Sequence, residues 1–98
     1  MRRSIEHGPE ARADLFEIWN YVAHHNRRAA DELIRQFNLI FQTLAENPMI
    51  GRARDELEPG LRSFPYRRYI VFYNSSDTKL AIIRILSSYR DIGPDSFA

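Results

Sequence analysis

The spacing of the apolar residues changes once along this chain, and that change restricts the order of its secondary-structure elements. Between residues 11 and 44, apolar side chains recur with the period of an amphipathic helix. Between residues 61 and 86 they instead form short, nearly continuous runs rich in Ile, Val, Phe and Tyr, which are typical of strands. A chain of 98 residues supports a single domain, residues 1–98. The sequence therefore predicts one α+β domain, helical first and sheet-forming second.

Two helices are predicted, and local signals mark their ends. Pro9 opens the first helix, because proline at the first helical position lacks only an N–H that would be unpaired anyway. Asn26 has the side chain of an N-terminal cap for the second helix, and Pro48 disfavours helical backbone at the residue before it. The predicted buried stripes are Ala11, Leu15, Ile18, Trp19 and Val22 in the first helix, and Ala30, Leu33, Ile34, Phe37, Ile40, Phe41 and Leu44 in the second. The short joint predicts an antiparallel helical hairpin.

One predicted strand precedes the helices and three follow them. These strands are residues 3–7, 61–64, 69–73 and 80–86. Residues 74–77 predict a turn, whereas residues 48–60 and the polar tail from residue 87 are predicted loops. The order is β-α-α-β-β-β, which predicts an antiparallel helical hairpin packed on one face of a small antiparallel sheet.

The last predicted strand is apolar on both faces. Strict alternation puts Ala81, Ile83 and Ile85 on one face, and Leu80, Ile82, Arg84 and Leu86 on the other. A sheet with one wet face alternates apolar and polar residues, so the second face here also needs cover. On the helices, Phe16 lies well off the first stripe and Leu39 lies opposite the second. Scattered exposed apolar residues are common. We nevertheless expect a protein partner to cover a surface made of Phe16, Leu39, Ile82, Arg84 and Leu86.

Arg84 is the one charged residue in residues 80–86. A charged side chain in a buried strand needs a partner. Arg84 therefore either pairs with an acidic residue of this chain or lies in a functional cleft, and pairing is our expectation.

Most catalytic and cofactor-binding motifs are missing from the sequence. It has no Cys, and the adjacent residues His24 and His25 cannot face one metal ion from a helix. Its glycines form neither a phosphate-binding loop nor a dinucleotide fingerprint, and no Ser stands in a Gly-x-Ser-x-Gly context. We therefore expect no metal and no cofactor.

The N-terminal residues, the apolar runs and the absence of Cys bear on localisation. The first seven residues lack the apolar stretch of a signal peptide. No run approaches the length that spans a membrane, and the absence of Cys gives no sign of secretion. We expect a cytoplasmic protein with no membrane partner.

A basic cluster surrounds residue 60. Its members are Arg52, Arg54, Arg62, Arg67 and Arg68, with Tyr66 and Tyr69 between or beside them. Such a set can contact nucleic-acid phosphates and stack on bases. Asp55, Glu56 and Glu58 interrupt the cluster, so pairing within the chain explains it equally well.

Several short motifs, read in order, resemble one family. They are Pro9-x-Ala11, Asp14-Leu15-x-x-Ile18-Trp19-x-Tyr21, Leu44-Ala45-x-Asn47-Pro48-x-x-Gly51-Arg52, Glu56-Leu57-x-x-Gly60-Leu61-Arg62-Ser63-Phe64-Pro65, Tyr69-x-Val71-Phe72-Tyr73 and Arg84-Ile85-Leu86-x-x-x-Arg90-Asp91. Each motif is weak alone, but their order and spacing over residues 9–91 resemble the ParE branch of the RelE/ParE toxins.

The resemblance implies a fold, a partner and a target. It implies two antiparallel helices on a small antiparallel sheet, and a cognate antitoxin whose C-terminal segment wraps the toxin in a hetero-oligomer. A segment that folds on binding can cover a long apolar track. ParE proteins characteristically poison DNA gyrase by trapping it on cleaved DNA, and they are not hydrolytic enzymes. By analogy, we expect Arg84, Tyr89 and Arg90 to contact the target.

The resemblance leaves one alternative, a RelE-type ribonuclease that cuts messenger RNA on the ribosome. In that case Arg52, Arg54, Tyr89 and Arg90 would be the catalytic residues. Two positions favour ParE: apolar Ile70 stands where RelE-type toxins carry an arginine, and Phe97 stands near the end where they often carry a tyrosine. Ser87 replaces a histidine found in many ParE relatives, which makes a catalytic role at that point less expected.

Overall fold

A computed structural model describes residues 2–97. The elements are β1 (Ser4–His7), α1 (Pro9–Ala23), α2 (Arg27–Glu46), β2 (Arg52–Ala53), β3 (Arg62–Tyr66), β4 (Tyr69–Ser75) and β5 (Lys79–Ser87), with 3₁₀ turns at Pro48–Ile50 and Pro94–Phe97. Pro9 is at the start of α1, and Asn26 Oδ1 accepts a hydrogen bond from the Ala29 N–H at 3.0 Å, so both predicted helix starts are confirmed. The predicted α+β class is also confirmed.

The five strands form one mixed sheet in the order β1-β5-β4-β3-β2. The prediction of a purely antiparallel sheet is wrong at one edge, because β1 pairs parallel with β5, with Ile5 opposite Leu80. A parallel pair needs a long crossover connection, and here all the intervening elements provide it. The predicted loop at 48–60 also contains β2, which pairs antiparallel with β3. A strand of two residues has no detectable period, which is why the sequence did not indicate it.

The two helices pack on one face of the sheet. The stripe of α2, including Phe37, Phe41 and Leu44, is buried against Val71 and Ile85 of the sheet. Burial of an aromatic or aliphatic side chain of this size stabilises a fold by about 1.5–3 kcal/mol. The helices are also joined near their tip, where Trp19 Nε1 donates to Asp31 at 2.8 Å.

A β-bulge in β5 changes which side chains face the helices. Phe72 lies opposite Arg84, whereas Tyr73 lies opposite Ile82, so Ile83 is an extra residue. Ile82 and Ile85 consequently both pack in the core beneath the helices. The strict alternation predicted for residues 80–86 is therefore wrong beyond Ile82. The two-residue period fails wherever one strand gains a residue.

The outer face of the sheet is covered by the chain itself. Leu61, Phe72 and Leu86 are buried there beneath residues from the 54–60 loop and from the tail. The Phe97 ring lies edge-on to the Phe72 ring, with 4.9 Å between centroids. Within the predicted C-terminal loop, Pro94–Phe97 form a 3₁₀ turn, and Phe97 and Ile92 pack on the sheet. The sequence predicted that a partner must cover the second face of β5, but the loop and the tail of the same chain cover part of that face.

Tyr73 fixes the segment between α2 and β3. Its buried hydroxyl donates to the Pro48 carbonyl oxygen at 2.6 Å. Gly51 lies so close to the Tyr73 ring that a Cβ there would overlap it. Arg62 Nη1 donates to the Gly51 carbonyl oxygen at 2.6 Å, which closes β2 against β3.

Candidate partner-binding surfaces

Asp14 and Arg84 join α1 to the edge of β5. Arg84 Nε and Nη2 donate to the two oxygens of Asp14 at 2.8 and 2.9 Å. Pairing of β1 with β5 ends at Ile82, and past that point the Ile85 N–H donates to Asp14 Oδ2 at 2.9 Å. The carboxylate therefore replaces a missing strand at this edge. The predicted pairing of Arg84 with an acidic residue of the chain is confirmed.

The neighbours of Arg84 stabilise its protonated form and fix the position of its guanidinium group. The hydrogen bond with Asp14 raises the pKa of Arg84 above its ordinary value, and this outweighs the opposite effect of burial. Its remaining Nη1 donates to the Ser96 carbonyl oxygen at 3.2 Å. Arg84 thus braces α1, β5 and the tail together. Asp14 and the tail accept from three of the five N–H donors of this guanidinium, and a binding role for Arg84 remains a prediction.

The residues predicted to bind an antitoxin do not form one surface. Phe16 and Leu39 are exposed on the helices, with 61% and 47% of their surface accessible. Ile82 is fully buried beneath the helices, and Leu86 is 2% exposed beneath the tail. The expectation that Ile82, Arg84 and Leu86 share an open outer face is therefore wrong, because of the bulge and the tail.

The basic cluster of the sequence divides into two groups. Near β2, Arg54 pairs with Glu56 at 2.8 Å, lowers the pKa of that carboxyl and lies over the Phe72 ring. Arg67 and Arg68 instead occupy the turn between β3 and β4. That turn lies four residues along β3 from Arg62, or about 13 Å. Pairing within the chain, one of the two explanations left open, is confirmed for Arg54.

The four residues of the ribonuclease alternative lie on opposite sides of the sheet's central strands. Arg52 and Arg54 lie in or just after β2, whereas Tyr89 and Arg90 follow β5 and are exposed. With two strands between them, β2 and β5 are about 14 Å apart. Within residues 2–97, no three His, Asp or Glu side chains group into a candidate metal site.

A cleft that the sequence did not indicate opens beside the β3–β4 turn. We call it the turn cleft; it has a volume of about 630 Å³ and lies between the α1–α2 joint and the segment Tyr66–Tyr69. A second cavity of about 320 Å³ continues from it along α1 to Arg90. Tyr21 and Tyr69 line both. The pairs of Arg and Tyr at residues 66–69 were visible in the sequence, but Tyr21 joins them only in the fold.

Comparison with known families identifies the chain. The family model of the ParE toxin of type II toxin–antitoxin systems, parDE, matches residues 5–92. This chain belongs to the ParE toxin family. The ParE-type resemblance inferred from the motifs is thereby confirmed, and the chain is a toxin of a type II toxin–antitoxin system.

Individual ParE proteins match over most of the chain. Toxin ParE1 of Mycobacterium tuberculosis is 30% identical over 86 residues, covering 86% of this chain and 88% of the relative. Toxin ParE3 of Caulobacter vibrioides is 31% identical over 74 residues, covering 74% of each.

Solved structures share the fold of this ParE-type toxin. A chain of the chromosomal ParDE system from P. aeruginosa superposes with a TM-score of 0.72 at 20% identity, over 88% of this chain and 96% of the other. A chain of the toxin–antitoxin complex RelBE2 from Mycobacterium tuberculosis gives 0.66 at 19% identity, over 89% and 92%. Both confirm two helices packed on a mixed sheet, the fold common to both branches. Within residues 2–97, no helix is both long and apolar enough to span a membrane.

Proposed function

We propose that this ParE-type toxin inhibits DNA gyrase in the cytoplasm, trapping the enzyme on cleaved DNA and stopping replication without catalysing a reaction itself. The observation that carries the proposal is the match of the ParE family model over residues 5–92. Ile70 supports it, because this apolar side chain packs with the buried cluster of the outer face, where a RelE-type toxin would present an arginine. The separation of Arg52 and Arg54 from Tyr89 and Arg90 supports it further.

The second part of the proposal is neutralisation by a cognate antitoxin in a hetero-oligomer. The solved neighbours come from a ParDE system and from a toxin–antitoxin complex. The exposed apolar side chains Phe16 and Leu39 offer contact area on the helices. We restrict the antitoxin surface to these helical positions, because Ile82 and Leu86 are accessible only if the sheet opens or the tail leaves.

The target is tested by inducing this chain alone in a bacterial host and pulse-labelling DNA and protein synthesis over the first minutes. We expect DNA synthesis to fall first while translation continues. Purified gyrase incubated with the toxin and a supercoiled plasmid should accumulate cleaved DNA. If translation falls first and gyrase is unaffected, the gyrase assignment is wrong. Cleavage of messenger RNA on translating ribosomes that disappears in Arg54→Gln and Arg90→Gln would then support the ribonuclease.

The antitoxin surface is tested by calorimetric titration of toxin with antitoxin. Phe16→Asp and Leu39→Asp place a charge in the proposed contact, and each is expected to weaken binding by at least tenfold, or about 1.4 kcal/mol. Met49→Asp is the matched control, because Met49 is also exposed but lies in the Pro48–Ile50 turn. Unchanged affinity in both helical variants would show that the antitoxin uses another surface.

A further inference from the structure

The turn between β3 and β4 is strained at an arginine. Tyr66 pairs with Tyr69, so Arg67 and Arg68 form a two-residue turn. Arg67 has φ of 56°, in the left-handed region that such turns normally give to glycine. Its Nε donates to the Tyr66 hydroxyl at 3.1 Å, and its guanidinium lies 5.4 Å from that ring's centroid. Backbone strain retained at a side chain that glycine would relieve suggests that the side chain has a function.

One wall of the turn cleft next to this arginine consists of two packed aromatic rings. Phe37, in the core, contacts the rings of both Tyr66 and Tyr69 edge-on, with 5.7 Å between centroids in each case. These two rings are therefore held from behind. Tyr21 on the opposite wall is 65% exposed and lies edge-on to His25. The lining of the turn cleft therefore combines three tyrosine rings with polar side chains such as His25, Asn26 and Gln36. A concave surface that joins aromatic rings with polar groups is a candidate binding site.

The uncommitted charges around the cleft are mainly positive. Arg67 and Arg68 have no carboxylate within 4.0 Å among residues 2–97. The carboxylate that lines the cleft, Glu32, is already bonded to Arg35 and Gln36 at 2.6 and 3.0 Å. The surface therefore presents unpaired guanidinium groups beside aromatic rings and offers them to acidic groups of a ligand.

The second cavity, along α1, also combines aromatic side chains with an arginine that forms no ion pair among the residues described. Its carboxylate Asp14 is neutralised by Arg84, and Arg90 at its far end forms no ion pair among the residues described. Glu17 is the one further carboxylate in its lining. The two cavities together thus form an aromatic track, centred on Tyr21 and Tyr69, with arginines at both ends.

We propose that the turn cleft and its extension bind an acidic peptide segment of a partner protein. One aromatic or long aliphatic side chain of the segment lies between Tyr21 and Tyr69, and its carboxylates pair with Arg67, Arg68 and Arg90. Tyr and Arg are the side chains enriched at the centres of protein interfaces. A polyphosphate chain fits less well, because it has no apolar side chain to place between the rings of Tyr21 and Tyr69. Neither Phe16 nor Leu39 lines the two cavities, and the proposal does not depend on the gyrase assignment.

The proposal is tested by fluorescence anisotropy with three labelled probes. They are the acidic peptide Asp-Glu-Leu-Trp-Glu-Asp, the basic peptide Lys-Lys-Leu-Trp-Lys-Lys and a single-stranded oligothymidylate. We expect saturable binding of the acidic peptide alone, weakened by about tenfold in both Tyr21→Ala and Arg67→Gly. Arg28→Gln removes a charge from exposed α2 surface, and Phe16→Asp alters the helical surface; both should bind as the unmodified toxin does.

Arg67→Gly also separates binding from folding. Glycine relieves the left-handed backbone of the turn, so this variant should melt at the same temperature as the unmodified toxin or at a higher one. Loss of peptide binding in a protein of undiminished stability supports the site. The proposal is overturned if the acidic peptide fails to saturate, if Arg67→Gly binds it as tightly as before, or if oligothymidylate binds more tightly through the same residues.

Discussion

Replacing Asp14 by alanine tests how α1 is fastened to the sheet. The Asp14 side chain is 9% exposed and accepts hydrogen bonds from Arg84 Nε, Arg84 Nη2 and the Ile85 N–H at 2.8, 2.9 and 2.9 Å. Asp14→Ala leaves the guanidinium without its counter-charge and the strand edge without an acceptor. No other side chain of the described chain contacts both groups in this way.

The expected loss follows from these two unpaired groups. Removing one partner of a buried ion pair costs about 3–5 kcal/mol, and an unsatisfied buried N–H costs about 1–3 kcal/mol. Arg84 retains 18% of its side-chain surface, so water compensates part of the loss. We therefore expect Asp14→Ala to lower the free energy of unfolding by about 3 kcal/mol, which for a domain of this size lowers Tm by about 12–24 °C.

Equilibrium unfolding in urea, followed by the fluorescence of Trp19, measures this loss. Asp14→Asn keeps an oxygen for the Ile85 N–H but removes the charge, so we expect a smaller loss of about 1–2 kcal/mol. Arg84→Met completes a double-mutant cycle, and the double variant should be more stable than the sum of the single losses predicts, by about 1–2 kcal/mol. Glu32→Gln is the control: the Glu32–Arg35 pair is exposed and screened by water, so this variant should unfold at nearly the same urea concentration as the unmodified toxin.

Either of two results would contradict a stabilising pair of Asp14 and Arg84 at this joint. In the first, Asp14→Ala unfolds at the same urea concentration as Glu32→Gln. In the second, the losses for Asp14 and Arg84 simply add, which would mean that the two side chains do not stabilise each other.

Three further predictions concern the core and its titrating groups. Gly51→Ala should lower the free energy of unfolding by about 2 kcal/mol, because the added Cβ overlaps Tyr73. Gly60→Ala has open space for its Cβ and is strained only by its φ of 82°, so it should lower the free energy of unfolding by about 1 kcal/mol. Thermal unfolding measures both. Burial raises the pKa of Tyr73, so its hydroxyl ionises at a lower pH in the unfolded chain than in the folded one. The free energy of unfolding should therefore fall as the pH rises above about 10. This fall should be smaller in Tyr73→Phe. Burial lowers the pKa of His7, which lies edge-on to Phe41, so its imidazole is protonated at a higher pH in the unfolded chain than in the folded one. The free energy of unfolding should therefore fall as the pH drops below about 6.5. His7→Gln should reduce this fall when the urea midpoint is measured against pH.

Local signals were sufficient for the helices. Pro9, Asn26 and Pro48 act on their own backbone or on that of their immediate neighbours, so the starts of both helices and the end of α2 were predictable. The apolar stripe of α2 was also predictable, since its period depends only on helix geometry. The family motifs, which are short and ordered along the chain, identified a ParE-type toxin for the same reason.

The errors lie where distant segments meet. The parallel pairing of β1 with β5 joins residues more than seventy positions apart, and nothing local to either strand states its direction. The bulge at Ile83 depends on the register with β4, and the cover of the outer face depends on where the tail folds back. Because of these two features, Ile82 and Leu86 are buried and are not part of an accessible antitoxin surface.

The candidate surfaces show the same division. The sequence alone determined the element order, the helical hairpin, the exposure of Phe16 and Leu39, and the toxin family, because each depends on local period or on motif order. The pairing of Asp14 with Arg84, seventy positions away, and the position of Tyr21 across the cleft from the strained turn at Arg67 became evident only from the packed fold. Those contacts arise from packing between elements, and the free energy of packing depends on three-dimensional neighbours that no local pattern specifies.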